Sequence, residues 1–223
     1  QKLQASGHKA YAVGGCARDT LLGIQPKDWD VTTSAKPEEI LDLFPDSFYE
    51  NKFLTVTVKT ESENHALKEI EVTSFRAEGR YTDKRHPDDV KYAKTLDEDL
   101  SRRDFTVNAM AFEVTSDKQQ VTSMDDNSMS HVPCHMSLID PFDGQSDLAH
   151  QLHRAVGDHE KGFPEDALRM LRAARLAIQL GFTIEPKTET AIKKLAGNLE
   201  FIAKERIRDE FVKIILEPKA KEG

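Results

Sequence analysis

One stretch near the start of the chain, YAVGGCARDTLLGIQPKDWDVTT (residues 11–33), restricts the possible folds more than any other. A strand-like run enters two adjacent glycines, and CARDTLL then gives about two helical turns that Gly23 stops. Strand, glycine turn and helix in that order leave backbone N–H groups free at the helix start, a place suited to phosphate. Gly14 and Gly15 form that turn, and Arg18 follows one turn later, within reach of a phosphate oxygen.

After a turn containing Pro26, the β-branched DWDVTT reads as a second strand. Residues two apart on a strand share a face, so Asp28 and Asp30 would present two carboxylates together, with Trp29 opposite. Two such carboxylates repel unless a cation lies between them, and hard oxygen ligands favour Mg²⁺. A DxD triplet alone is usually just a turn and a strand start. The adjoining phosphate cradle changes the odds, and so does Glu71 in IEVTSF. Ile70 and Val72 would face a core, so Glu71 points away from it, on a strand able to pair beside Asp30. Three carboxylates next to a phosphate cradle fit two-metal nucleotidyl transfer to a hydroxyl, with no covalent protein intermediate.

The rest of the first half alternates short strands and helices. KPEEILDLF is a helix with Pro37 near its start. LTVTVKT and LKEIEVTSF read as an antiparallel strand pair, and TLDEDLSRRDF as a helix with Thr95 as N-cap. VNAMAFEV is a further strand. Residues 76–95 form a polar loop, and 116–137 a polar surface insertion. From about residue 147 the pattern turns helical. Leu168, Leu171, Ala174 and Ile178 mark a buried stripe up to Gly181, and two more helices follow over 187–197 and 203–216.

The predicted fold class is therefore α+β, a catalytic head over 1–143 with a mixed or antiparallel sheet, followed by an all-α neck over 144–223. A net charge of −8 argues against an extended nucleic-acid surface, but a local basic groove beside an acidic metal centre is compatible with it. No run is apolar enough for a membrane span. Two cysteines without CxxC spacing point to a reducing, cytoplasmic setting. The start at Gln1 and the charged end EPKAKEG read as a piece of a longer chain.

GGCARDTLLGIQPKDWD resembles the signature of class II tRNA nucleotidyltransferases, the CCA-adding enzymes, and of related bacterial poly(A) polymerases, which share the DNA polymerase β nucleotidyltransferase fold. The likeness continues in the family's order through IEVTSFR, RRDFTVNAMAF, DPFDGQSDL, RAVGD, EDALRMLRAARLA and ERIRDEF, and so covers essentially the whole chain. It implies Asp28, Asp30 and Glu71 as catalytic and metal carboxylates holding two Mg²⁺ ions, and Gly14, Gly15 and Arg18 as the phosphate turn. It implies that Arg103, Asp104 and Asn108, helped by Arg102, contact ribose and phosphates. Asp166 and Arg169, i and i+3 on one helix face, would read the Watson–Crick edge of the base, with Glu165 and Arg172 orienting them. A carboxylate accepts from an exocyclic amine and Arg donates to a ring nitrogen or carbonyl oxygen, which suits C and A.

The implied activity is template-independent addition of C and/or A, from CTP and ATP, to the 3′ end of tRNA, without the family's body and tail domains. A bacterial poly(A) polymerase ranks second, because SFYENKFLTVTVKT lacks the basic GRRF-like stretch of those enzymes. A catalytically dead RNA-binding fragment ranks third, opposed by the intact carboxylates. Two positions depart from the family pattern: Asp143 stands where a glycine is usual, and Pro164 precedes the base-reading helix, where it would be tolerable at a helix start. His131, Cys134 and His135 meet no ligand spacing and read as surface residues. Arg175, Arg206 and Arg208 read as solvated helix faces. The basic loop from Arg76 to Lys94 matches the flexible loop that in this family helps the change from C to A addition.

Overall fold

A computed structural model of the chain describes residues 1–50, 54–77, 91–116 and 134–222. Most of the expected 116–137 insertion, most of the Arg76–Lys94 loop and His131 lie outside the described residues. The chain divides into two compact units, Gln1–Ser74 with Ala111–Ile139, and Phe75–Met110 with Asp140–Gly223.

The first unit is built on a seven-stranded sheet. In chain order its elements are α1 (Lys2–Ala5), β1 (Ala10–Val13), α2 (Gly15–Leu21), β2 (Asp30–Thr33), α3 (Pro37–Leu43), β3 (Ser47–Glu50), β4 (Thr55–Lys59), β5 (Glu69–Ser74), β6 (Ala111–Ser116) and β7 (Cys134–Ile139). The strand order is β3-β4-β5-β2-β1-β6-β7. β2 and β5 pair in parallel, and every other neighbouring pair is antiparallel, so the sheet is mixed as expected. Alternation along the strands separates two faces. Val56, Val58 and Val72 pack with Leu3, Ala35 and Ile40 into a core covered by α1 and α3. The opposite face carries Asp30, Thr32, Glu71 and Thr73 on β2 and β5. α3 starts with Pro37, and the Lys36 backbone N–H just before it donates to Glu39 Oε2 at 2.7 Å.

The second unit is mainly helical: α4 (Leu96–Ser101), α5 (Gly144–Ala149), α6 (His159–Glu165), α7 (Leu168–Leu180), α8 (Pro186–Leu195) and α9 (Lys204–Ile215). Thr95 caps α4 as its sequence predicts, accepting from the Glu98 N–H at 3.3 Å. Gly181, at φ 70°, ends α7 in the left-handed conformation that a side chain would resist. The buried stripe of α7 differs in part from the expected one. Leu168 and Ile178 are buried, but Met170, Ala173, Leu176 and Ala177 fill the interior, while Leu171 and Ala174 are only half-buried. The helix starts at Leu168 and turns a wider set of apolar residues inward. Arg175 is no solvated residue either: its Nε donates to Glu210 Oε2 at 2.6 Å, joining α7 to α9.

Candidate active site

The carboxylate group lies in the first unit. β2 begins at Asp30, and its register places Asp30 directly across from Glu71 on β5, with Val31 across from Val72. Cross-strand partners share a face, so both carboxylates emerge on the side away from the apolar core. Thr57 lies across from Glu71 on the other flank, and Thr73 pairs with both Thr32 and Thr55. Trp29 and Val31 turn the other way, lining an apolar cavity with Leu3, Phe44 and Val72.

Asp28 corrects the strand-face argument. It sits in a bend before β2 rather than on the strand, so strand alternation does not aim it. A turn residue two positions from a strand start is oriented by the turn, here the segment after Pro26. Asp28 and Glu71 are exposed and Asp30 half-buried. Among the described residues, no three His, Cys, Asp or Glu are gathered closely enough to hold a metal ion. The donors are nonetheless hard oxygens, those of Asp28 and Glu71 exposed to solvent. That chemistry suits Mg²⁺, which binds through one or two carboxylates and keeps positions for water and substrate phosphate.

The glycine turn follows β1. Gly14 has φ 77° and ψ −137°, backbone open to glycine almost alone, and α2 starts at the next residue. Arg18 folds back over the turn, its Nη2 lying 3.6 Å from where a Gly15 side chain would begin. The guanidinium is buried and donates through Nε and Nη2 to Asp19 Oδ1 at 2.8 and 2.7 Å. Cys16, buried beneath the turn, is 3.1 Å through Sγ from the Val13 carbonyl and 3.8 Å from that of Asp30, so it links the turn to the carboxylate strand.

A second group of predicted residues meets in the second unit. Arg172 Nε and Nη2 both donate to Asp104 Oδ2, at 2.9 and 2.6 Å. The Asn108 amide lies 3.4 Å from Asp104 Oδ1. Burial pushes the Asp104 carboxyl up, but the charge and hydrogen bonds of Arg172, with Arg169 and Asn108, outweigh it and hold the group down to about 2. Arg172 is raised in return, chiefly by the Asp104 charge.

Asp166 and Arg169 do not share a helix. The chain breaks between α6 and α7, and Asp166 stands in the break. Its Oδ1 accepts from the N–H of Leu168, the first residue of α7, at 3.1 Å, and Arg206 Nη2 lies 3.3 Å from Oδ2. Aspartate competes well for free N–H groups at a helix start, and that bond suits the break between the two helices. Arg206 is thus a partner of the expected base-reading carboxylate rather than part of a solvated face. Arg169, in the first turn of α7, donates from Nη2 to the Arg102 carbonyl at 2.9 Å. Glu165 is the last residue of α6, and Arg172 grips Asp104 rather than the Asp166–Arg169 pair. Pro164 lies inside α6, just before the break, not at the start of the base-reading helix.

Asp99, in the first turn of α4, is a functional candidate that the sequence reading does not single out. It is fully buried and receives Arg102 through Nε (3.1 Å) and Nη2 (2.7 Å), with Arg103 Nη2 at 3.4 Å. Its spacing of three and four residues from the two arginines was the available signal.

The Poly A polymerase head domain model matches residues 10–154, which includes the glycine turn and all three carboxylates. The chain belongs to that family. A second model, described as the probable RNA and SrmB-binding site of polymerase A, matches residues 181–223. The CCA-adding enzyme of Lactobacillus helveticus is 44% identical over 224 residues, and that of Leuconostoc mesenteroides 43% over 223. Each match spans the whole of this chain but only 50% and 49% of the relative, so the chain covers about half their length. Among solved structures, the Bacillus stearothermophilus CCA-adding enzyme in complex with CTP superposes with a TM-score of 0.78 at 38% identity, covering 99% of this chain and 47% of that one. The Thermotoga maritima CCA-adding enzyme complexed with tRNA gives 0.71 at 27% identity, with 99% and 46% covered. The α+β head of this poly(A) polymerase family member thus has the expected sheet. No described helix is long and apolar enough to cross a membrane.

Proposed function

We propose that this chain is the head and neck of a template-independent nucleotidyltransferase that extends the 3′ end of tRNA with C and/or A from CTP and ATP. The head would span 1–143 and the neck 144–223. The observation that carries the reading is the register of β2 on β5, which sets Asp30 directly across from Glu71 on the face away from the apolar core. Relatives at 44% identity that are CCA-adding enzymes support tRNA as the acceptor.

Asp28, Asp30 and Glu71 would hold two Mg²⁺ ions, which supply a lowered pKa for the attacking 3′-hydroxyl and charge neutralisation for the triphosphate. The chain's other groups bind and orient the nucleotide. The N–H groups that follow Gly14 and Gly15 receive phosphate oxygens, and Arg18, folded over the turn, adds positive charge. Arg103 and Asn108 contact ribose and phosphate. Asp104, kept ionised by Arg172, is an acceptor at any physiological pH. Asp166 accepts from the exocyclic amine that C and A share, and Arg169 donates to the ring.

The deciding experiment incubates the full-length protein with tRNA lacking its terminal nucleotides, and with CTP alone, ATP alone and both. Addition that stops after one to three residues is expected. Long adenosine tails on any RNA would instead assign a bacterial poly(A) polymerase, the reading that the match to a Poly A polymerase head domain favours.

A further inference from the structure

The hydrogen bonds around Asp99 form a continuous path rather than a local ion pair. Its Oδ1 accepts from the Arg76 backbone N–H at 3.2 Å, and from Arg102 Nε and Nη2. Arg102 Nε also reaches the Arg76 carbonyl at 3.1 Å. The Arg102 carbonyl in turn receives Arg169 Nη2. One buried carboxylate therefore joins the short Arg76–Ala77 strand, the two adjacent arginines and the arginine assigned to the base.

Two neighbouring guanidinium groups repel, and they converge only where an anion holds both. Arg103 gives Asp99 a single contact at 3.4 Å, and its buried Nε has no partner among the described residues. The single contact leaves the Nη donors of Arg103 less engaged than those of Arg102, while its direction is already set. Groups ordered before binding lose less freedom when the ligand arrives. Burial pushes the Asp99 carboxyl up, but Arg102 and Arg103 outweigh that and keep it ionised.

We propose that Asp99 is a positioning residue for nucleotide selection: it fixes Arg102 and Arg103 for the triphosphate and ribose and, through the Arg102 carbonyl, steers Arg169 toward the base. The proposal rests on the nucleotidyltransferase reading above. It predicts that Asp99→Asn, which keeps the shape but removes the charge, raises KM for CTP and ATP roughly tenfold or more. The same variant should change kcat by less than about threefold and increase UTP incorporation relative to CTP. Asp99→Glu, which restores the charge, should recover base choice in part.

The test uses the full-length protein, with thermal unfolding and calorimetric CTP binding measured beside transfer. A wild type that neither binds CTP nor extends tRNA overturns the functional reading itself. An active wild type, with a folded Asp99→Asn of unchanged KM and unchanged base choice, overturns this proposal alone. So does a variant that loses kcat and keeps KM. If Asp99→Asn does not fold, Arg102→Gln takes its place, and wild-type KM and base choice in that variant reject the proposal.

Discussion

Asp104 shows how one side chain's chemistry depends on a residue far along the chain. Its carboxyl is buried, which favours the neutral form, yet Arg172 from α7 holds it at about 2 against an ordinary 3.8. A depressed folded value contributes stability above the unfolded value, and that contribution is lost as the pH falls through the folded one. The difference is worth about 2 kcal/mol at pH 7, at about 1.4 kcal/mol per pH unit, and about half of it is gone by pH 3. Asp104→Asn should therefore cost about 1.5–3 kcal/mol in urea unfolding at pH 7, with a deficit at pH 3 roughly half as large. A deficit independent of pH would mean that the loss comes from shape rather than charge. The sequence showed Asp104 and Arg172 as separate candidates, because nothing in local spacing joins positions so far apart. Asp166 is the reverse case: the residue was legible and its helix was not, since an aspartate just before a helix and one inside it look alike in a string.

Helices and strands were legible where local chemistry is strict. The glycine turn, the Thr95 cap, the Gly181 stop and the β4–β5 pairing all follow from residues within one element or its neighbour. β3 was not, because SFYE is too short to show a period. Asp143 is more instructive. It takes φ 59° and ψ 32°, the left-handed backbone that explains why a glycine is usual there, and aspartate is among the few residues that tolerate it. Gly144 beside it is required for a different reason. A Cβ there would stand 2.4 Å from the Thr106 carbonyl oxygen and 2.9 Å from Met110 Cγ. Backbone cannot yield as a flexible side chain does, so Gly144→Ala should destabilise by about 1–3 kcal/mol or more. Asp143→Gly should be close to neutral, since relief of the backbone is offset by a freer unfolded chain. Thermal unfolding of both variants checks this, and an alanine at 144 without cost would mean that α5 does not seat against Thr106 as closely as described.

The two halves of the proposed chemistry belong to different compact units. Asp28, Asp30 and Glu71 lie in the unit that holds the sheet, while Arg103, Asp104 and Arg169 lie in the helical one. Because the carboxylates and the base-reading arginine lie in different units, metal requirement and base choice should be separable. Glu71→Gln keeps the side chain's shape and removes one negative charge from the carboxylate set. Metal affinity follows ligand charge, so the Mg²⁺ concentration for half-maximal transfer should rise about tenfold, the equivalent of about 1.4 kcal/mol. The ratio of CTP to UTP incorporation should stay at its wild-type value. Arg169→Ala should do the opposite, because a lost donor to the base lowers discrimination between pyrimidines and touches no metal ligand. Titrating Mg²⁺ at fixed nucleotide, then nucleotide at fixed Mg²⁺, reads both quantities for each variant. Equal losses for all four nucleotides in Arg169→Ala would remove its base-reading role. A shifted base ratio in Glu71→Gln would mean that the carboxylate set also positions the base, and the division of labour between sheet and helices would fall.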